Sequence, residues 1–218
     1  MALFIDSADI EDVRRAFELG FVSGVTTNPA LVAKTGRPGL DVLNDLLDLT
    51  NGPVFYQVTA PTLKGRAEQA REASHLSWRR VHVKIGATTE NISLAAHLTR
   101  EGIMCAVTAV ASPAQAYLAV LSGATYIAPY VNRLTRQQGD GVAVVRRCVE
   151  VLKGSSTRLL AASLKSVDEV LEVVLAGAHD ITIPLELILK LGDHDLSNQA
   201  IEEFTAAMQA QGTHNSAK

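Results

Sequence analysis

The 218-residue chain carries 47% hydrophobic and 20% charged residues, a net charge of −3 and a mean hydropathy of +0.15, the profile of a globular domain with a sizeable core. Its acids and bases are interspersed, which argues against nucleic acid or an anionic membrane as partner, so an anionic ligand has to be held by a local site. Cys105 and Cys148 stand far apart without metal-ligand spacing and are expected as buried small hydrophobes in a reducing compartment, with neither disulfide nor metal.

The residues from Met1 to Asp6 show no basic region followed by a signal-length apolar run, and no stretch is apolar for long enough to span a bilayer. A cytoplasmic location is therefore expected. The first strand reads Leu3 to Asp6, and a helix starting near Ser7 carries Val13, Ala16 and Phe17 before a stop at Gly20. The second strand, Val22 to Thr26, breaks into the polar turn Thr26-Thr27-Asn28-Pro29, followed by a helical stretch with Val42, Leu43, Leu46, Leu47 and Leu49. The third spans Pro53 to Val58 and precedes a helix over Leu63 to Leu76.

The fourth strand, Val81 to Ala87, alternates apolar 81, 83 and 85 with His82, Lys84 and Gly86. Lys84 therefore points away from the apolar face. If that other face is a barrel interior, burial favours the neutral amine, a carbonyl nucleophile. By itself the same lysine also fits an ordinary solvated strand face. A helix over Thr89 to Arg100 follows, then a strand from Met104 to Val110 and a helix from Pro113 to Leu121 closed by Gly123. The sixth strand runs from Tyr126 to Val131, with a Gly-containing loop expected from Arg133 to Gly141 and a helix to Leu152. Arg158 to Ser163 and Asp180 to Pro184 are the last strands, each with a helix after it, over Val167 to Leu175 and Leu185 to Leu191. A ninth amphipathic helix is expected over 197–210, with Ile201, Phe204, Ala207 and Met208 on one face, and a disordered tail over 212–218.

Eight strand-helix repeats predict an α/β protein, a single (β/α)8 TIM barrel over 1–218 with an additional C-terminal helix. An open doubly wound sheet is the alternative, but no Gly-rich dinucleotide fingerprint follows the first strand. In a barrel the strand ends would bring together Asp6, Thr26, Asn28, Gln57, Lys84, Thr108, Tyr130, Arg133 and Ser163. Each has an ordinary reading as well. Asp6 could cap the first helix, Thr26 to Pro29 could be only a turn, and Gln57 and Thr108 could satisfy one another. Tyr130 could be core, Arg133 could pair with Asp140, and Ser163 could merely end its strand. His82 shares the Lys84 face at a deeper level and reads as structural.

Together these motifs resemble the small transaldolase and fructose-6-phosphate aldolase family of Schiff-base aldolases. The matching segments, in order, are Phe4-Ile5-Asp6, Gly24-Val25-Thr26-Thr27-Asn28-Pro29, Phe55-Tyr56-Gln57-Val58, Val83-Lys84-Ile85, Thr108-Ala109-Val110, Ala128-Pro129-Tyr130-Val131-Asn132-Arg133 and Ala161-Ala162-Ser163-Leu164-Lys165. The resemblance implies that Lys84 forms a Schiff base with a ketose phosphate such as fructose 6-phosphate, releasing glyceraldehyde 3-phosphate and then dihydroxyacetone, with no metal or other cofactor. It gives Asp6 a proton-transfer role, places Thr26 in the substrate-binding set, and sets Asn28 and Ser163 on the dihydroxyacetone part. Arg133 would hold the phosphate, and Gln57, Thr108 and Tyr130 a relaying water. Transaldolases of the family usually carry Glu and Phe where Gln57 and Tyr130 stand, so the aldolase branch is expected and transfer to an acceptor sugar is the alternative. A catalytically silent sugar-phosphate-binding barrel is a third reading. Two departures from the family pattern, Gly86 and the small Ala106, predict a loosened strand end and a wider donor pocket. Family members form rings of five or stacked pairs of rings, so a homo-oligomer, a pentamer or decamer, is expected.

Overall fold

The computed structural model describes residues 1–215, with side chains through residue 209. Eight parallel strands close on themselves in chain order. They are β1 (Ala2–Asp6), β2 (Val22–Thr26), β3 (Val54–Gln57), β4 (Val81–Gly86), β5 (Cys105–Val110), β6 (Tyr126–Pro129), β7 (Arg158–Ala161) and β8 (Asp180–Ile183). The seam is β1 against β8, with Phe4 opposite Thr182. The helices are α1 (Ile10–Glu18), α2 (Pro29–Lys34), α3 (Gly39–Leu49), α4 (Leu63–Leu76), α5 (Thr89–Arg100), α6 (Pro113–Leu121), α7 (Val131–Gln138), α8 (Gly141–Leu152), α9 (Val167–Leu175), α10 (Leu185–Leu191) and α11 (Asp195–Asn215). This is the expected (β/α)8 barrel.

The strand period of two separates two cores. Outward residues such as Ile5, Val25, Val83, Ile85 and Val107 are fully or almost fully buried against the helices. Inward residues Phe4, Phe55, Ala106, Tyr126 and Leu160 fill the barrel as a second cluster. Its rings meet edge to face, Phe4 with Phe55 at 5.6 Å and Phe55 with Tyr126 at 5.2 Å between centroids. Gly24 makes room for them, since a Cβ there would collide with Pro53 O and lie 2.8 Å from the Phe4 ring. At the floor, Asp180 accepts from Arg158 Nε at 2.6 Å and Nη2 at 2.8 Å, and from the Ala2 N–H. That fork ties β7, β8 and β1 together.

Short polar caps end the loops at the opposite rim. Asp9, Asn28, Thr62, Thr88, Ser112, Asp140 and Ser166 each accept from backbone N–H groups of the helix that follows. Such a cap contributes about 1 kcal/mol and fixes where the chain leaves the strand end.

Three expectations change. Residues 131–138, expected as strand end and loop, are α7: only Val131 and Leu134 need burying, so a polar sequence suffices, and Gly139 at φ 92° ends the turn. The turn at Asn28-Pro29 continues into α2, with Asn28 as N-cap and proline at the first helical position. The C-terminal helix begins at Asp195 rather than 197 and continues through Asn215, so 212–215 are not a disordered tail. Gly212 costs about 1 kcal/mol there without removing a ladder donor, as proline would. Residues 216–218 of the expected tail lie outside the described residues. Ile201, Phe204 and Met208 are exposed, so α11 does not lay this face on its own barrel.

Candidate active site

The inward period that stacks aromatic rings low in the barrel brings polar groups to its mouth two residues later. Phe4 gives way to Asp6, Gly24 to Thr26, Phe55 to Gln57, His82 to Lys84, and Ala106 to Thr108. Asp6, Thr26, Asn28, Gln57, Lys84, Tyr130, Arg133 and Ser163 line one cavity of about 410 Å³ at the C-terminal end of the strands. Thr108 reaches it through Tyr130, donating to the phenol oxygen at 3.1 Å. All nine candidate residues thus converge. The lining adds Lys165 and Thr182, absent from the expected set. Besides Lys84, the lining carries two basic side chains, Arg133 and Lys165, against one acid, Asp6, a balance suited to an anion.

Lys84 is 5% exposed, and its Nζ donates to Thr27 O at 2.8 Å. Its neighbours across the ladders are Gln57 and Ala106. Gln57 Oε1 is buried without a hydrogen-bond partner among the described residues, so Gln57 and Thr108 do not satisfy one another. Asp6 is not a helix cap, because Asp9 fills that position. Its Oδ1 instead accepts from Thr26 Oγ1 at 2.7 Å, and the Thr26 and Thr182 hydroxyl oxygens are 2.7 Å apart. Asn28 combines both readings: its Oδ1 caps α2 through the Ala30 and Leu31 N–H groups, while the side chain lines the cavity.

Two non-glycine residues take left-handed backbone at strand ends, Ala109 at φ 57° and Ser163 at φ 61°. Ala109 sits in an irregularity of the β5–β6 ladder between Thr108 and Val110, beside the hydroxyl that meets Tyr130. Ser163 follows the bridge of Ala162 to Tyr130, and its carbonyl accepts from the Asn132 N–H. Such backbone costs about 1–2 kcal/mol outside glycine. Arg133 does not pair with Asp140, which caps α8; its guanidinium carbon lies 5.0 Å from the Tyr130 ring centroid. Glu169 braces this corner, accepting from Asn132 Nδ2 and from the Lys165 N–H, both at 2.6 Å.

His82 lies below the cavity, stacked on Phe55 at 4.8 Å. Thr125 gives its proton to Cys105 O, so His82 Nδ1–H donates to Thr125 Oγ1 at 3.1 Å. Burial pushes the imidazole down to about 4, which suits a neutral structural residue. Cys105 and Cys148 are buried free thiols, pushed up by burial to about 12 and about 11. Ala106 is buried in the inner cluster and pairs in register with Lys84 across the β4–β5 ladder. Gly86 leaves a Cβ in open contact with Asn91 Nδ2 at 3.6 Å, so no close approach demands glycine there.

Residues 3–217 match the model of the family described as transaldolase/fructose-6-phosphate aldolase. The chain belongs to that family. Among curated relatives, transaldolase-family proteins named "Probable transaldolase" come from Anaeromyxobacter dehalogenans, 39% identical over 208 residues, and Symbiobacterium thermophilum, 36% identical over 206. Each alignment covers 94% of this chain and 95% of the relative. A solved mandelate oxidase structure superposes with a TM-score of 0.60 at 16% identity, covering 93% of this chain and 71% of that one, which shows the shared barrel alone. Among the described residues no helix is long and apolar enough to cross a membrane, and no three His, Cys, Asp or Glu residues cluster as a metal site.

Proposed function

We propose that this transaldolase-family enzyme is a class I aldolase that cleaves a ketose phosphate such as fructose 6-phosphate through a Schiff base on Lys84. The supporting observation is a buried primary amine that lines one cavity together with the Asp6 carboxylate, Arg133 and Lys165. The amine attacks the C2 carbonyl, and loss of water gives an iminium ion. As C3–C4 breaks, its electron pair enters the iminium to form an enamine, and the C4 hydroxyl proton passes to Asp6. The aldehyde product leaves with its phosphate held by Arg133 and the groups around Ser163. Asn28 and Ser163 hold the hydroxyls of the dihydroxyacetone unit, with Thr26 supporting Asp6.

Gln57, Thr108 and Tyr130 favour hydrolysis over transfer. Gln57 Oε1 is a buried acceptor in need of a donor, and Tyr130 OH, bonded to Thr108, lines the same cavity. A water between them would carry a proton from Tyr130 to the enamine carbon and then attack the iminium, releasing free dihydroxyacetone. The names of the relatives favour a second reading, transfer of the three-carbon unit to an acceptor aldehyde. Incubation with fructose 6-phosphate alone, coupled to a dehydrogenase that detects glyceraldehyde 3-phosphate, separates the two, with Lys84→Arg as blank. Sustained release marks the aldolase; turnover appearing only with erythrose 4-phosphate marks the transaldolase.

The exposed Ile201, Phe204 and Met208 of α11, with the apolar groove of about 470 Å³ lined by Leu19, Phe21, Ile188, Leu189 and Leu191, support a homo-oligomer, for which the family resemblance suggests a pentamer or decamer. Light scattering of the full chain and of one ending before Asp195 tests this: the full chain should be oligomeric and the shortened one smaller.

A further inference from the structure

We propose that Thr182, on the last strand, is a positioning residue for Asp6 that decides which carboxylate oxygen takes the substrate proton. This rests on the aldolase reading above and adds a residue that the sequence alone did not single out.

Each threonine hydroxyl has a single proton to donate. Thr26 gives its proton to Asp6 Oδ1, so across the 2.7 Å contact Thr182 must be the donor and Thr26 the acceptor. The chain has one direction, Thr182 to Thr26 to Asp6. Thr26 and Thr182 are 1% and 2% exposed, so water does not compete for them. They stand on strands either side of β1, Thr26 opposite Asp6 and Thr182 opposite Phe4, and they bond across the inward face of β1 between those two levels.

Placing the substrate proton on Oδ1 would leave Thr26 donating to a carboxylic hydroxyl oxygen, a far weaker acceptor than a carboxylate oxygen, or would force the chain to reverse and leave the Thr182 proton in need of a new acceptor inside the barrel. Oδ1 is therefore held as an acceptor. Oδ2, which has no hydrogen bond among the described residues, receives the proton released by the C4 hydroxyl when C3–C4 breaks and the electron pair enters the iminium. Without the Thr182 hydroxyl, Thr26 can rotate and accept, and the proton divides between the two oxygens.

The test compares Thr182→Val, which keeps shape and loses the donor, with Thr182→Ser, which restores it. The expected result is a fall of about tenfold in kcat for fructose 6-phosphate cleavage in the valine variant, with KM within about twofold and recovery by serine to within about threefold of wild type. Exchange of dihydroxyacetone methylene protons in D2O, which needs Lys84 but no C4 hydroxyl, should stay near the wild-type rate. Unchanged cleavage by a folded valine variant, an equal loss of exchange, or no recovery by serine would overturn the assignment. If the valine variant does not fold, Thr182→Ala takes its place with the same criteria. A wild-type protein that shows neither exchange nor a borohydride-trapped Lys84 adduct would overturn the aldolase reading, and the Thr182 assignment with it.

Discussion

The lower and upper halves of the barrel interior are built from the same strands by the same alternation, yet they differ in kind. Below, Phe4, Phe55, Tyr126, His82 and Leu160 are rings and branched chains in mutual contact, closed underneath by the Arg158–Asp180 fork. Above, one alternation later, come Asp6, Gln57 and Lys84, with Gln57 Oε1 unpartnered among the described residues and Ala109 and Ser163 held in left-handed backbone. The lower layer satisfies its groups internally; the upper layer leaves groups and strain for a ligand to use. Substitutions in the two layers should therefore separate activity from stability.

The largest effect belongs to the upper layer. Lys84→Met should lower turnover about 10⁴-fold or more while the urea midpoint stays close to wild type, because a chain of similar length fills the same space. A stopped assay and equilibrium unfolding on one preparation check both halves of that statement. Next comes the lower layer: Phe55→Ala should cost about 3–5 kcal/mol of stability, since the ring is fully buried against Phe4, His82 and Tyr126. Denaturant titration reads this directly.

The third test uses pH. His82 titrates near 4 in the folded barrel because it is buried, against about 6.5 unfolded, so between these values the unfolded chain binds the extra proton. The contribution is fully present above pH 6.5 and is lost as pH falls toward 4. The wild type should thus lose about 3 kcal/mol more than His82→Gln over that range, compared by urea unfolding at each pH. The smallest effect returns to the rim. Ser163→Gly relieves the φ of 61° but loosens the unfolded chain, for a net gain of about 0.5 kcal/mol, while KM for the phosphorylated substrate rises. A gain in stability paired with weaker substrate binding would mark the strained serine as kept for its hydroxyl.

The sequence made the interior legible because a period of two survives any change of partner strand. Val81 to Gly86 displays it openly, and it places Lys84 without knowledge of the neighbours. Thr182 obeys the same rule from Asp180, yet a lone threonine in a short apolar strand carries no chemical flag until Thr26 is seen 2.7 Å away. Lys165 lay within a recognised segment, but its side chain follows from the β7–α9 turn braced by Glu169, a geometry no local pattern expresses. Helices α2 and α7 escaped because capping and two buried residues were enough to form them where little apolar periodicity exists.

The closing pair of strands also bears on how the protein comes into being. The Ala2 N–H meets Asp180 across 178 residues of chain, and the Thr182–Thr26–Asp6 chain spans the same seam. Joining ends so far apart costs about 5 kcal/mol of loop entropy, recovered when the ring shuts. A nascent chain on the ribosome that has not yet released β8 holds Lys84 in an open sheet, with the threonine chain to Asp6 unfinished. Onset of turnover during synthesis would then time ring closure itself, with the enzyme serving as reporter of its own last folding step.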